Sequence, residues 1–244
     1  MDSVKIFMNF IKKFKKLKKK FYLWRRNRHF TVFGYKFIPP AEILPFDARN
    51  VLRTAYFSRQ FEKVRHLAGS VVECGVWRGR SLFILSTLAN DRTVYAFDSF
   101  EGFPNPEGGV YDNSVAAAKY HFKNTSAESV KEFLDLSKRI SKLPNNVQIV
   151  PGYFEDTLPQ WKEHIGSVAL IHLDCDLYES YKTCFANLYP LLVPGGIILF
   201  DEYLSGQNTV EWPGAKKAID EFCMEHGQTV ECDAIADKYF MIKR

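Results

Sequence analysis

The 244-residue sequence has no run approaching the ~18 uninterrupted apolar residues of a membrane-crossing helix, so no transmembrane span is expected. It has no Cys-x-x-Cys pair. Its five cysteines, Cys74, Cys175, Cys184, Cys223 and Cys232, are odd in number and scattered. That argues for free thiols in a reducing, cytoplasmic setting and against a disulfide framework or a zinc site. The dinucleotide fingerprint G-x-G-x-x-G is missing, which counts against NAD or FAD. No Ser/His/Asp or Cys/His set suggests a covalent nucleophile. What remains, with 46% hydrophobic and 15% aromatic residues, can bury the core of one domain of the larger kind.

Positive charge exceeds negative only because of one segment. Residues 1–30 hold eight Lys and three Arg against one Asp, about +10 by counting; the whole chain is +5, so the rest is about −5. Phe7, Ile11, Phe14, Leu17, Phe21 and Trp24 recur at the spacing of one helical face, with Lys12, Lys13, Lys15, Lys16, Lys19 and Lys20 on the others. A basic amphipathic helix of this kind, over residues 1–28, suits an anionic membrane surface. The alternative is that its apolar stripe packs on the domain or on a second subunit of a homo-oligomer; nucleic acid is not the expected partner. With lysines through its apolar residues and no small-residue cleavage site, the arm does not read as a secretory signal.

Beyond the arm, a Pro-marked connection and a helix over about 48–68 fill residues 31–68, and strand and helix signals then alternate through a catalytic domain over 69–244. "SVVECGV", "RTVYAFDSF", "NNVQIVPG", "VALIHLD" and "IILFDEY" read as strands separated by helical segments, with "QTVEC" and "KYFMIK" as a closing hairpin. Repeated strand–helix units with aliphatic strands predict an α/β fold: a doubly wound, mostly parallel sheet covered on both faces. In such sheets ligands bind beyond the carboxyl ends of the strands, near the switch point. Glu73, Asp98, Asp174, Asp201 and Glu202 all fall there.

Each of these positions has a chemical reading. In "VVECGVWRGRS", Gly75 and Gly79 allow a tight turn, and the helix that follows presents free N–H groups. An acid, Glu73, ahead of that turn favours a ligand with a cationic group, such as the amino group of S-adenosylmethionine. Asp98 can accept both hydroxyls of a ribose, or be a solvated loop acid. In "GYFEDTLP", Tyr153 and Phe154 can line an adenine and Asp156 can accept from its amino group, or cap the helix after it. Asp174, Asp201 and Glu202 on neighbouring strand ends repel one another unless a cation sits among them, and all-oxygen ligands suit Mg, Ca or Mn. Asp176 reads as the cap of a helix starting near Tyr178, with a fourth ligand as the alternative; His172 reads as a hydrogen-bonded core histidine. "EGFPNPEGGVYDNS" and "LSGQNTVEWPG" are long enough to be lids. Tyr178, Tyr203 and Trp212 are either sugar-stacking or core aromatics.

In order, "VVECGVWRG", "FDSFEGFP", "GYFEDTLP", "LDCDLYES", "LYPLLVPGG" and "FDEY" resemble the macrocin O-methyltransferase family, class I S-adenosylmethionine-dependent enzymes that methylate sugar hydroxyls of macrolides and related glycosides. The resemblance covers about residues 50–240 and not the basic arm. It implies a seven-stranded Rossmann-like sheet. It also implies a methyl-donor site made of Glu73, Gly75, Val76, Gly79 and Ser81, of Asp98, Ser99 and Phe100, and of Gly152, Tyr153, Phe154 and Asp156. Asp174, Asp201 and Glu202 would hold Mg2+ or Mn2+, with Asp174 also the general base. Where the family pattern has two aspartates before the tyrosine, this chain has Asp201 and Glu202. Three other readings compete: a metal-dependent glycosyltransferase using "DCD", a catechol-type O-methyltransferase, and a membrane-bound scaffold on an inactive methyltransferase fold.

Overall fold

The computed structural model describes residues 30–32, 35–37 and 47–244, apart from residues 106, 121, 142, 144 and 205–210. The predicted arm over residues 1–28 lies outside the described residues. The chain divides into two compact units, residues 1–43 and 44–244. In the first, β1 (Phe30–Val32) and β2 (Tyr35–Phe37) pair antiparallel, with Phe30 opposite Phe37.

The second unit opens with α1 (Ala48–Val64), started by the Asp47 carboxylate, which accepts from the Asn50 N–H as an N-cap. There follow β3 (Ser70–Cys74), α2 (Arg80–Leu88), β4 (Val94–Asp98), α3 (Ser114–Lys119), α4 (Ala127–Ser141), β5 (Val147–Pro151), α5 (Phe154–Ile165), β6 (Val168–Leu173) and α6 (Tyr178–Leu188). A 3-10 turn at Tyr189–Leu191, β7 (Leu192–Phe200), α7 (Pro213–Glu225), β8 (Val230–Asp233) and β9 (Lys238–Ile242) complete it. The sheet has the order β5-β4-β3-β6-β7-β9-β8. Its first five strands pair parallel and β9 runs antiparallel to both neighbours, so the predicted seven-stranded, mostly parallel sheet with a closing hairpin is what forms. Strand order reverses between β3 and β6, which makes their carboxyl ends the switch point.

Period-2 alternation along each strand splits the core into two layers. Val71, Leu170, Ile197 and Leu199 join Tyr56, Phe57 and Phe61 of α1 and the apolar faces of α2 and α4. Val72, Ile171, Ile198 and Phe200 join α5, α6 and α7. The same alternation decides which way each acid at the strand ends faces. Among the described residues, no helix is long and apolar enough to cross a membrane.

Candidate active site

At the switch point, the strand ends approach too closely for any side chain on the turn. Gly75 has φ +90°, and a Cβ there would lie 1.8 Å from the Asp174 carbonyl oxygen. Asp98 organises this turn. Its Oδ2 accepts from the N–H groups of Val76 (2.7 Å) and Trp77 (2.8 Å), and its Oδ1 from the N–H of Phe100 (2.7 Å). Trp77 and Phe100 carry positive φ, 46° and 56°, a conformation that is strained for aromatic residues and here aims their N–H groups at the carboxylate. Ser99 Oγ accepts from Glu101 N–H and donates to the Gly102 carbonyl, closing the neighbouring loop.

An open cavity lies on this turn. Of the predicted donor residues, Gly75, Asp98, Ser99, Gly152, Tyr153 and Phe154 line it. Val76 and Ser81 are buried beside it, Val76 contributing its N–H to Asp98, and Gly79 (φ +75°) packs on Val130 as the N-cap of α2. Asp156 is exposed in the first turn of α5, while its neighbour Glu155 meets the cavity. Glu73 is fully buried and off the lining. Its Oε1 is 2.9 Å from His172 Nδ1, and its Oε2 has no hydrogen-bond partner. The His172 ring also packs edge-on against Phe57, 4.9 Å between centroids. It is thus the buried, hydrogen-bonded histidine expected, although it stands under the acids.

The acids form two overlapping groups that share Asp174. Ligand-capable atoms of Asp174, Asp176 and Glu202 lie within 4.8 Å of one another, as do those of His172, Asp174 and Asp201. Asp201 and Glu202 diverge because consecutive residues leave a strand on opposite faces. Asp201 turns to the α1 side, where Lys238 Nζ (2.8 Å) and Arg53 (3.7 Å) meet it. Glu202 turns to the α6 side, where its Oε2 accepts from Tyr181 OH (2.8 Å) and from Asp176 N–H (3.2 Å). Charge follows this division. Burial opposes ionisation of Asp201, but Lys238, Arg53 and His172 outweigh it and hold its pKa below the ordinary value. Burial, then the charge of Asp201, pushes Asp174 up to about 6. Burial and the Asp174 charge push Asp176 and Glu202 well above the usual carboxylate range.

Asp176 is not the helix cap read from the sequence. Its φ is +61°, its carboxyl lines the cavity, and α6 has Leu177 as N-cap with no side-chain cap. The N–H of Tyr178 is taken instead by Asp112 Oδ1 (3.0 Å), from a loop 66 residues away in sequence. The aromatics on the cavity wall also differ from those expected. Tyr178 OH bonds Glu221, Tyr203 OH bonds Asp220, and Trp212 is buried against Phe103 and Tyr120; none of the three lines the cavity. Trp77, Phe103 and Phe122 do, with Phe122 edge-on to both of the others. Phe103 was within reach of the "EGFP" motif, but the positive φ of Trp77 and Phe122 has no local sequence signal.

A model of the macrocin-O-methyltransferase (TylF) family matches residues 53–241. The chain is 32% identical over 162 residues to demethyldecarbamoylnovobiocin O-methyltransferase of Streptomyces niveus, covering 64% of this chain and 59% of that protein. It is 30% identical over 176 residues to mycinamicin III 3''-O-methyltransferase of Micromonospora griseorubida, covering 68% and 65%. The chain therefore spans less than two thirds of the length of these curated relatives. The solved structure of the O-methyltransferase NovP superposes with a TM-score of 0.66 at 28% identity, over 79% of this chain and 80% of that one. The matched span carries the glycine turn, Asp98 and all the clustered acids, and the chain belongs to the macrocin-O-methyltransferase family.

Proposed function

We propose that the protein is an S-adenosylmethionine-dependent O-methyltransferase that acts on a sugar hydroxyl with the help of a divalent cation, Mg2+ or Mn2+. One observation carries this reading: a single cavity joins the Gly75–Asp98 turn to Asp174 and Asp176. The donor fits the residues present. Gly75, Asp98, Ser99, Gly152, Tyr153 and Phe154 line one cavity, and Asp98 retains lone-pair capacity beyond its three N–H partners, while Glu73 stands behind this lining, bonded to His172. The cation fits too. Asp174, Asp176 and Glu202 offer only oxygen, and their raised pKa values are those of carboxylates crowded without a counter-charge. Asp201, the third ligand expected, contributes through Asp174 and shares its charge with Lys238 and Arg53.

S-adenosylmethionine supplies the methyl group, and the cation lowers the pKa of an otherwise poor sugar nucleophile. The protein's own part is alignment, proton removal and exclusion of water. Gly75, Tyr153 and Phe154 bind and orient the donor in line with the hydroxyl, and alignment supplies much of the rate. Asp174, at the floor of the cavity, takes the hydroxyl proton. Trp77, Phe103 and Phe122 cover the reacting atoms with apolar surface.

The basic stripe of residues 1–28 supports an acceptor that is lipid-linked or part of a surface glycan, handled where the arm meets an anionic membrane. Deleting residues 1–28 should abolish binding to anionic liposomes and spare donor binding. The central test is calorimetric titration of S-adenosylhomocysteine into wild type and Tyr153→Ala, with and without Mg2+. Micromolar binding, weakened in the variant, is expected. No binding under either condition would sink the reading and turn attention to nucleotide sugars with Mn2+.

A further inference from the structure

The loop from Ser99 to Asn113 is more than a wall of the cavity. Its near end supplies Ser99, Gly102, Phe103 and Pro104 to the lining. At its far end Asp112 is wedged between two helices. Oδ1 accepts from the Tyr178 N–H at the start of α6 (3.0 Å), and Oδ2 accepts from the loop's own Gly109 N–H (2.7 Å). On the other side stands Gly214 of α7, where a Cβ would fall 1.9 Å from Asp112 Oδ1 and 3.0 Å from Tyr178 Cβ. The Tyr111 ring, 4.7 Å from that of Tyr178, extends the same contact. Tyr178 follows Asp176 by two residues, and Asp176 holds a positive φ while its N–H is fixed on Glu202. A non-local carboxylate therefore caps the helix that carries the acid segment, and a left-handed residue in that segment needs such support.

We propose that Asp112 is a positioning residue for the acid cluster: by capping α6 from the cavity loop, it couples seating of that loop to the placement of Asp174 and Asp176. The proposal rests on the methyltransferase reading. Acceptor binding against Phe103 and Pro104 holds the loop down, and the loop in turn holds the acids in register. Asp112 makes no hydrogen bond to the donor-side turn, which Asp98 holds, so donor binding should depend on it far less than the acids do.

Three variants test this: Asp112→Ala removes the cap, Asp112→Asn keeps one carbonyl oxygen for Tyr178 N–H, and Gly214→Ala displaces an intact Asp112 from the opposite side. Mn2+ affinity is read by electron paramagnetic resonance, S-adenosylhomocysteine affinity by calorimetry, and methyl transfer by kcat and KM. Asp112→Ala and Gly214→Ala should each weaken Mn2+ binding about tenfold, the scale of outer-shell metal-site substitutions, and lower kcat by at least as much. Donor affinity should stay within twofold, and Asp112→Asn should recover most of the Mn2+ affinity. Wild-type Mn2+ affinity and kcat in Asp112→Ala and Gly214→Ala would overturn the proposal. So would a parallel loss of donor and Mn2+ binding in all three variants, which would mark a merely structural role. If wild type binds no S-adenosylhomocysteine, the methyltransferase reading falls, and Mn2+ affinity alone decides whether Asp112 positions the acids.

Discussion

The two halves of the sheet's carboxyl edge are built on opposite principles. On the donor half, at the ends of β3 and β4, backbone geometry does the organising: Asp98 spends its carboxylate on three backbone N–H groups, and glycines permit the close approach, with Glu73 Oε2 left as a buried oxygen without a partner. On the acid half, at the ends of β6 and β7, Asp174, Asp176 and Glu202 are packed within 4.8 Å of one another, and burial, then their mutual charge, drives their pKa values up. A preorganised backbone cradle suits a large ligand of fixed shape. A strained cluster of like charge suits a small ion that repays the strain when it arrives. The donor half should therefore fail through geometry and the acid half through charge.

The largest effect should come from Gly75→Ala. A Cβ placed 1.8 Å from a backbone oxygen, at φ +90°, has no flexible neighbour to push aside. We expect a loss of about 4 kcal/mol or more, read as little soluble protein or a collapsed thermal transition. Next comes Asp98→Ala, which leaves three N–H groups without their acceptor at a cost of about 2 kcal/mol or more. Asp98→Asn, which can keep the Val76 and Trp77 bonds, should lose roughly 1 kcal/mol in urea unfolding. Neither loss should respond to Mn2+. A Mn2+-dependent rescue of Asp98→Ala would break the division between the halves.

Much of this architecture was legible in the sequence, because aliphatic strands alternating with amphipathic helices leave few arrangements open. Positions were harder. β7 starts at Leu192, not at Ile197, and runs through Pro194, Gly195 and Gly196. Those residues read locally as a turn, but β6 pairs with Leu192 before them and with Ile197 after them, across a register break. That acids end β6 and β7 was readable; that Asp201 and Glu202 part to opposite faces depended on where β7 stops. The sequence reading of Asp176 as the helix cap failed because its left-handed backbone and the cap supplied by Asp112 are both consequences of distant packing.

The acid half has its own test in pH. Asp174, Asp176 and Glu202 have folded pKa values above those of the unfolded chain, so the folded state binds more protons there. Their contribution to stability is best below the ordinary carboxylate pKa and is lost as pH rises, for Asp174 from about 4 through about 6. Asp201 has the opposite sign, its contribution being lost only as pH falls below the ordinary aspartate range. Metal-free protein should lose Tm between pH 5 and 8, and Mn2+ should restore it more at pH 8 than at pH 5. Glu202→Gln preserves the acceptor for Tyr181 OH and removes a group that would otherwise have to ionise beside Asp174 and Asp176 as pH rises. It should raise the metal-free Tm at pH 8 by roughly 2–4 °C, about 1 kcal/mol for a domain of this size, and abolish most of the Mn2+ response. An unchanged Tm at pH 8 in Glu202→Gln would mean that the cluster carries no repulsion.

The smallest effect sharpens the donor half. Glu155 and Asp156 are adjacent at the start of α5, and sequence alone favoured Asp156 as the group facing the donor's base. Both are exposed near the positive end of the helix dipole, but the helix turns only Glu155 onto the cavity. Asp156→Ala should therefore cost only about 0.5 kcal/mol in stability, through the lost interaction with the dipole, and leave S-adenosylhomocysteine affinity unchanged. Glu155→Ala should cost a similar small amount through the same dipole and, in addition, weaken that affinity about fivefold, the worth of one hydrogen bond of about 1 kcal/mol. If calorimetry gave the opposite pairing, the first turn of α5 would have to rotate on donor binding, and the donor half would be less rigid than its satisfied hydrogen bonds imply.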